Sequence, residues 1–328
     1  MTTLTEKSFG KARWVMADPP VEQVEALMRR HDLPEMIARM LVSRGVAEGD
    51  VDAFLAPTLR EHFPDPFKLA GMEAMAGDLA TWIAEGKKIA IFGDFDVDGA
   101  TSSAVLYRFL KACGVEAPIY IPDRLAEGYG PNLEAMKTLK AQGADVVMML
   151  DCGTTAFEIV KQARGLGLDV VILDHHEAAE TLPEANHVIN PKRKDDTSGY
   201  DMLAACGVTF LSCVAANRVL KERGFFKDAP PDLKSLLDIV ALGTVCDMVP
   251  LHGPNRLFVK HGFNLMQHTL NKGLKALIQV SKLKDEVTPS DAGFALGPRI
   301  NAGSRVHKAD LGARLLTSDD AEEALSIA

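Results

Sequence analysis

Apolar residues follow two different spacings along the chain, and the spacing changes near residue 86. Residues 21–30, 34–44, 50–55 and 72–85 carry apolar side chains at helical spacing, and prolines interrupt the chain between the last two segments. Beyond residue 86, short runs rich in β-branched residues alternate with helical stretches. This alternation predicts strands at 88–93, 117–121, 145–150, 169–173 and 187–190, and helices near 100–112, 131–142, 154–165, 204–223 and 232–244.

Strands that alternate with helices are usually joined by right-handed crossovers, which place the strands parallel in one sheet. We therefore predict an α/β fold, with a doubly wound, mostly parallel five-stranded sheet and a helical N-terminal extension. The predicted domains are residues 1–85 (helical extension and linker), residues 86–255 (α/β domain) and residues 256–328 (a mixed segment).

Three carboxylates follow the first predicted strand at alternate positions, as Asp94, Asp96 and Asp98. The same spacing opens an EF-hand calcium loop, but that loop needs a preceding helix and a glutamate at its twelfth position. Here a strand pattern precedes the acids, and the twelfth position is Val105. The calcium loop is therefore excluded, and the pattern indicates a strand, an acidic turn and a helix that begins near residue 100.

Two further strands end in residues that bind metals. Asp151 follows the strand at 145–150, and Asp174, His175 and His176 follow the strand at 169–173. Ligands of open parallel sheets bind beyond the carboxyl ends of the strands, so these residues should meet at one edge. One acidic strand end could be a helix cap, but three together with a histidine pair indicate a metal site. A further acid, Asp247, follows the apolar segment 239–246.

Carboxylates combined with imidazole favour Mn²⁺, with Fe, Co or Zn as alternatives and Mg²⁺ less natural. The acids and the histidine are more ligands than one ion needs. We therefore expect two ions, roughly 3.5–4 Å apart, that share one carboxylate. Asp151 is the candidate for the shared ligand, because its strand is the middle one of the three. Such a pair of ions can activate water and stabilise charge on a phosphoryl group.

Composition narrows the class of protein only modestly. A net charge of −9 argues against a protein coated in nucleic acid, but a nuclease with local positive patches remains compatible with it. No apolar run approaches the length of a membrane span and no secretory signal opens the chain, so we expect a soluble cytoplasmic protein. The five cysteines are scattered, which is typical of reduced, buried residues.

The motifs resemble, in order, those of the DHH phosphoesterases. They are residues 93–102 (GDFDVDGATS), 151–153 (DCG) and 174–176 (DHH), followed by Asp247. Within that superfamily the chain is similar to a family of bacterial exonucleases specific for single-stranded DNA. That narrower resemblance depends on residues 54–57 with 65–66, on residues 127–130 (EGYG) and on residues 297–305 (GPRINAGSR). It runs from about residue 30 to the end.

The resemblance implies a role for each site residue. Asp94 and Asp96 would join Asp151 at one Mn²⁺, while Asp98, Asp151, His175 and Asp247 would hold the other. His176 would face the scissile phosphate, and Asp174 would orient the histidine pair. The substrate would be bound by the glycine-rich motif of the mixed segment, together with residues that follow the acidic turn. These predicted substrate-binding residues are Arg299, Asn301, Arg305, Thr101 and Ser102.

The resemblance also implies an activity: 5′ to 3′ hydrolysis of single-stranded DNA in repair and recombination, with single-strand binding protein and a helicase as partners. We expect a monomer. We further expect the chain to be a fragment, since family members continue through a connecting helix into a second core domain. One alternative is a phosphodiesterase for short oligonucleotides, nucleotides or cyclic dinucleotides. Another, from a different class, is a non-catalytic DNA-binding replication scaffold.

Overall fold

The computed structural model describes residues 15, 17–123, 127–283, 286–306 and 308–328, without the side chains of residues 304–306. The chain forms two compact units, Met1–Phe63 and Pro64–Ala328. The two units separate after Phe63, which is 22 residues before the domain boundary predicted after residue 85. The units are defined by contacts within the chain, so the predicted domain boundary itself stays a prediction. Among the described residues, no helix combines the length and the apolar character that a membrane span requires.

The first unit is helical, as the spacing of its apolar residues predicts. Its helices pack around a small core of five buried residues, which include Leu27, Leu41 and Val51. The helices begin after prolines or polar residues; Thr58, for example, accepts a hydrogen bond from the N–H of Glu61. The helices are α1 (Val21–His31), α2 (Glu35–Ser43), α3 (Val51–Leu55) and α4 (Leu59–His62).

The second unit contains the strands and the remaining helices. In chain order, the strands are β1 (Ile89–Gly93), β2 (Ile119–Tyr120), β3 (Val146–Leu150), β4 (Asp169–Leu173) and β5 (His187–Ile189). The helices are α5 (Met72–Ala84), α6 (Val97–Ala112), α7 (Leu133–Ala141), α8 (Phe157–Gly165), α9 (Ala205–Glu222), α10 (Leu237–Cys246), α11 (Gly253–Met266), α12 (Lys272–Val280), α13 (Pro289–Asp291), α14 (Gly297–Val306), α15 (Leu311–Thr317) and α16 (Ala321–Ile327).

The five strands form one all-parallel sheet in the order β2-β1-β3-β4-β5, which confirms the predicted fold class. The register aligns Ile91 with Met148 and Met148 with Val171. The second strand is shorter than predicted. Pro118 precedes it and has no N–H to donate, although its carbonyl oxygen still accepts a hydrogen bond from the N–H of Ile91 at 2.9 Å.

Helices cover both faces of the sheet. On one face, Phe92, Met149 and Ile172 pack against α7 and α8 through residues such as Leu139 and Val160. On the other face, α6 contacts β1 and β3, and α9 contacts β4. Every residue of β1 and β3 is buried, as expected for strands covered on both sides.

In the described part of the chain after β5, the regular secondary structure consists of helices. Gly262 of α11 lies so close to α10 that a Cβ there would be 2.1 Å from the carbonyl oxygen of Leu237. The glycine-rich motif at 297–305 is helical, because a π-helical turn (Ala292–Leu296) continues directly into α14. The last helix, α16, begins after Asp320, whose side chain accepts hydrogen bonds from the N–H groups of Glu322 and Glu323.

Candidate metal centre

The acidic residues lie at the carboxyl edge of the sheet, where the strand order changes direction. The chain runs from β1 to β2 on one side, and β3 lies on the other side of β1. A crevice opens beyond the strand ends at such a point, and it is the usual ligand site of open parallel sheets. Asp94 directly follows β1, and Asp151 directly follows β3, so both carboxylates lie at this crevice.

The first turn of α6 positions the acids after β1. Asp96 is the N-cap residue, and its Oδ1 accepts a hydrogen bond from the N–H of Gly99 at 3.0 Å. Asp94 accepts a hydrogen bond from the N–H of Phe95 at 2.8 Å, and Asp98 is buried in the first turn. Gly99 lets the helix approach β1 closely, since a Cβ there would lie 2.3 Å from the carbonyl oxygen of Asp94. This close approach sets the spacing of the three acids.

Asp98 also binds the start of α9, a partner that the sequence did not indicate. Its Oδ2 accepts a hydrogen bond from the N–H of Ala205 at 2.6 Å, and its Oδ1 accepts one from the N–H of Cys206 at 2.8 Å. A negative charge is favoured there, because the first N–H groups of a helix have no partner within the helix. Each carboxylate oxygen has a second lone pair, so Asp98 retains the capacity to bind a cation.

Asp151 adopts a backbone conformation that is uncommon for a residue other than glycine, with φ of 59°. Asparagine and aspartate tolerate this left-handed region best, and such residues are concentrated at functional sites. Gly153 follows with φ of 106°, and a Cβ there would meet Ile172 and Met149. The sharp turn directs Asp151 into the crevice, where its side chain is 2% exposed.

Asp174 is held by four hydrogen bonds. Its Oδ1 accepts from the N–H groups of His175 and His176 and lies 2.7 Å from Nδ1 of His176, while Oδ2 accepts from the N–H of Thr154. Burial opposes ionisation, but the hydrogen bonds and the charge of His176 outweigh it, and the pKa of Asp174 falls well below its usual range. Asp174 is therefore ionised, so Nδ1 of His176 donates the proton.

His175 lies at the point where the buried carboxylates of Asp98 and Asp151 meet the partly buried carboxylate of Asp247. Its Nε2 is 3.4 Å from Oδ1 of Asp151, 3.6 Å from Oδ2 of Asp247 and 3.7 Å from Oδ2 of Asp98. Ligands of one cation at about 2.1 Å lie roughly 3.0–3.4 Å apart, so this cluster has nearly the spacing of a ligand shell. Among the described residues, Oδ1 of Asp151 and Oδ2 of Asp247 are buried without a hydrogen-bond partner. A divalent cation fits these groups.

The residues predicted as metal ligands all come together in the structure. Three groups have ligand atoms within 4.8 Å of one another, and Asp151 and His175 each belong to two of the groups. The groups are Asp94, Asp96 and Asp151; Asp98, His175 and Asp247; and Asp151, His175 and His176. The first two groups agree with the two ligand sets implied by the resemblance, apart from the shared Asp151 in the second set.

Burial makes the carboxylates hard to ionise without a cation. It raises the pKa of Asp98 to about 7 and the pKa values of Asp94 and Asp247 to about 6, and neighbouring carboxylates add to each shift. The pKa of Asp151 is raised well above its usual range for the same reasons. Groups that are costly to charge in isolation are the ones that a bound cation stabilises most.

Tyr129 is a further residue of the site, and the sequence left its role open. Its ring lies edge-on to Phe95 with centroids 5.8 Å apart, and its hydroxyl group hydrogen-bonds to Asp94. The segment is shaped by Glu127, which accepts hydrogen bonds from Tyr120 and Asn132. In the sequence, the glycines on either side of Tyr129 were the feature that could have indicated its role at the site. Glycines are, however, common in turns that bind nothing.

Thr101 and Ser102, predicted to contact substrate, are fully buried in α6. The Thr101 hydroxyl group donates to the carbonyl oxygen of Val97 at 2.7 Å, and a Cβ at Gly243 would clash with it. These contacts are those of a residue that packs α6 against α10. Neither residue is therefore part of the substrate site that we propose below.

The motif helix α14 packs beside the end of α10, which carries Asp247. A Cβ at Gly297 would lie 2.6 Å from Sγ of Cys246, so the glycine allows the two helices to approach. Arg299 is exposed and donates a hydrogen bond to the carbonyl oxygen of Ala295, and Asn301 is half-buried. The side chain of Arg305 lies outside the described residues, so its predicted role stays a prediction.

Comparison with known families identifies the class of the domain. Residues 88–244 match the family described as "DHH family, N-terminal domain". This range contains the whole sheet and every acidic and histidine residue of the cluster except Asp247. Residues 88–244 therefore correspond to a DHH domain, and the candidate metal ligands lie at the carboxyl edge of its sheet.

Over most of its length, the chain is similar in sequence to RecJ exonucleases. It is 36% identical over 320 residues to the single-stranded-DNA-specific exonuclease RecJ of Bacillus subtilis (strain 168), an alignment that covers 97% of this chain and 39% of that protein. The chain spans about half, or less, of the length of the curated relatives that it matches.

Two solved structures have the same fold. A manganese-bound exonuclease RecJ has a TM-score of 0.70 and 32% identity, over 79% of this chain and 64% of that one. RecJ of Thermus thermophilus in complex with Mn²⁺ has a TM-score of 0.78 and 28% identity, over 95% of this chain and 43% of that one.

Proposed function

We propose that the chain is a metal-dependent exonuclease that hydrolyses phosphodiester bonds of single-stranded DNA from the 5′ end, in DNA repair and recombination. The observation that carries the proposal is the meeting of three strand ends and Asp247 around His175. The relationship to RecJ exonucleases supports the substrate, and the manganese in two RecJ structures supports the metal.

Two cations, Mn²⁺ or Mg²⁺, would be held by the clustered residues. Asp94, Asp96 and Asp151 would hold one, and Asp98, His175, Asp247 and the shared Asp151 would hold the other. When bound, such ions activate water and neutralise charge that develops on the phosphoryl group. The protein supplies the fixed geometry: α9 holds Asp98, and the turn at Asp151 directs the shared carboxylate.

His176 would contact the scissile phosphate. Because its Nδ1–H is directed to the ionised Asp174, Nε2 faces outward, and the side chain is 48% exposed. The hydrogen bond to Asp174 raises the pKa of His176, so Nε2 carries a proton more readily and can donate it to a phosphate oxygen. Asp174 is then a positioning residue, since it fixes the ring and the tautomer.

Arg299, Asn301 and Arg305 of α14 would bind phosphates of the strand. Arginine suits this role because its fork of N–H groups matches phosphate oxygens. The position of α14 beside Cys246 supports the proposal, since the helix starts next to the residue that precedes Asp247. We further propose that the chain acts as a monomer with single-strand binding protein and a helicase as partners.

A degradation assay with end-labelled strands tests the function. With Mn²⁺, a 5′-labelled single strand should release labelled nucleotide at once, whereas a 3′-labelled strand should shorten gradually. Duplex DNA and dinucleotides should be poor substrates. A preference for dinucleotides or cyclic dinucleotides would favour a phosphodiesterase of small substrates, and binding without hydrolysis would favour a replication scaffold.

We predict that stabilisation by Mn²⁺ increases from about pH 5 to about pH 7.5. Without a cation, the folded pKa values of Asp94, Asp98 and Asp247 lie near 6–7, above the ordinary value of 3.8. The folded state then binds more protons than the unfolded state, so these groups lower stability as pH rises through this window. Mn²⁺ requires the ionised carboxylates and should reverse the trend. Thermal unfolding with Mn²⁺ and with EDTA measures the difference, and a pH-independent difference would contradict the prediction.

A further inference from the structure

Lys192 lies beside the candidate metal centre, in the loop after β5. Asn190, which precedes Pro191 in this loop, is 1% exposed and connects the loop to the histidine pair. Its Nδ2 donates hydrogen bonds to the carbonyl oxygen of His176 and to Oγ1 of Thr154, both at 2.9 Å, and its Oδ1 accepts from the N–H of Lys192 at 2.8 Å. The backbone of Lys192 is therefore fixed relative to His176 through one buried amide.

The side chain of Lys192 reaches the same edge. Its Nζ lies 3.1 Å from Oε1 of Glu177, the residue directly after His176. The Glu177 side chain is 88% exposed and that of Lys192 is 29% exposed, so the ion pair faces water. Exposed ion pairs contribute little to stability. The ammonium group can therefore exchange Glu177 for another anion at small cost.

We propose that Lys192 binds a non-bridging oxygen of the substrate phosphate that lies beside His176, and that Glu177 is its counter-ion when no substrate is bound. The proposal rests on the function proposed above, because it assumes a phosphodiester substrate. A polyanion approaches a chain with a net charge of −9 and a crevice lined by carboxylates, so a cation at the rim favours its entry. Lysine suits this position because its point charge moves on a flexible stem.

The test compares Lys192→Gln with Lys194→Gln, a control at an exposed lysine two residues further along the same loop. Lys192→Gln should raise KM on the order of tenfold, as loss of one charge-assisted hydrogen bond does. It should also lower the salt dependence of log kcat/KM by about 0.7, the contribution of one phosphate contact in a single strand. Lys192→Arg should restore both values, and Lys194→Gln should resemble the unaltered chain.

Glu177→Gln gives an effect of opposite sign, since it removes the competing anion and should lower KM. Thermal unfolding of each variant should match that of the unaltered chain, because the ion pair is exposed. If the chain hydrolyses DNA but the salt dependence of log kcat/KM is the same for Lys192→Gln and Lys194→Gln, the proposal for Lys192 is wrong. The proposed exonuclease function would not be affected by that result.

The salt dependence of the binding affinity is also measured, with a phosphorothioate oligonucleotide in Mn²⁺. This measurement separates the two proposals. A chain that hydrolyses nothing but loses salt dependence in Lys192→Gln would refute the exonuclease and keep the phosphate contact. If neither hydrolysis nor the change of slope is observed, both proposals are wrong.

Discussion

Asp151→Asn should reduce hydrolysis of single-stranded DNA on the order of a thousandfold or more while the fold is retained. Asp151 groups with Asp94 and Asp96, and its Oδ1 also lies 3.4 Å from Nε2 of His175, so as the proposed shared ligand its loss would remove charge from both proposed cation sites. Stabilisation of the transition state by the metal ions is worth several kcal/mol, and each 1.36 kcal/mol corresponds to a factor of ten in rate. Hydrolysis of a labelled strand and metal analysis of the purified variant measure the effect.

Thermal unfolding distinguishes the loss of a metal ligand in Asp151→Asn from a general loss of structure. Burial and the surrounding carboxylates raise the pKa of Asp151, so its charge costs free energy in the metal-free protein. Asparagine has the same shape, tolerates φ of 59° and lacks that charge. The metal-free variant should therefore unfold at the same temperature as the unaltered chain, or higher, and its stabilisation by Mn²⁺ should be much smaller.

Asp145→Asn is the matched control, because Asp145 lies at the opposite end of the same strand. Its Oδ2 accepts a hydrogen bond from the N–H of Lys88 at 3.0 Å, far along the strand from the crevice. We expect this variant to keep its hydrolytic activity and its response to Mn²⁺. Similar losses of activity in both variants, or an active Asp151→Asn, would contradict the role of Asp151 as a shared ligand.

The sequence predicted the sheet and its acidic edge because both depend on short-range patterns. Runs such as 146–150 contain apolar residues only, which is typical of a strand covered on both faces. Once the strands are parallel, residues that follow them must lie at one edge, and Asp94, Asp151 and His175 come together without further information. The five strands and their parallel arrangement are therefore confirmed.

Contacts between segments that are far apart in the sequence could not be predicted from such short-range patterns. Asp98 binds the start of α9 across 107 residues, and no local pattern near Ala205 indicates that partner. The motif at 297–305 contains two glycines and a proline, so its local sequence does not indicate the helix that it forms. In the structure, the π-helical turn Ala292–Leu296 runs directly into α14, and Gly297 allows close packing on Cys246.

For Thr101 and Ser102, a short-range pattern led to a prediction that the structure does not support. They stand next to the acidic turn in sequence, which suggested contact with substrate. The helical repeat instead directs both side chains into the interior, where each is fully buried. Nearness in sequence to a ligand does not give nearness to the substrate, because successive residues of a helix point in different directions.

Gly99→Ala should destabilise the protein by about 2–3 kcal/mol, the cost of overpacking a tight contact. A Cβ at Gly99 would lie 2.3 Å from the carbonyl oxygen of Asp94, and backbone atoms cannot move aside as a flexible side chain can. The start of α6 must then shift away from β1. This shift would change the distances among Asp94, Asp96 and Asp98 and would weaken Mn²⁺ binding by about tenfold or more. Denaturant unfolding and Mn²⁺ titration measure the two effects.

Gly165→Ala provides the control, since it makes the same change in a helix where space is available. No atom lies within 4 Å of a Cβ added at Gly165, the last residue of α8. Alanine is the better helix former, so this variant should be unchanged in stability or more stable by up to about 1 kcal/mol, with unaltered Mn²⁺ affinity. Should Gly99→Ala behave like Gly165→Ala in both measurements, the close approach of α6 to β1 would not be what sets the spacing of the acids.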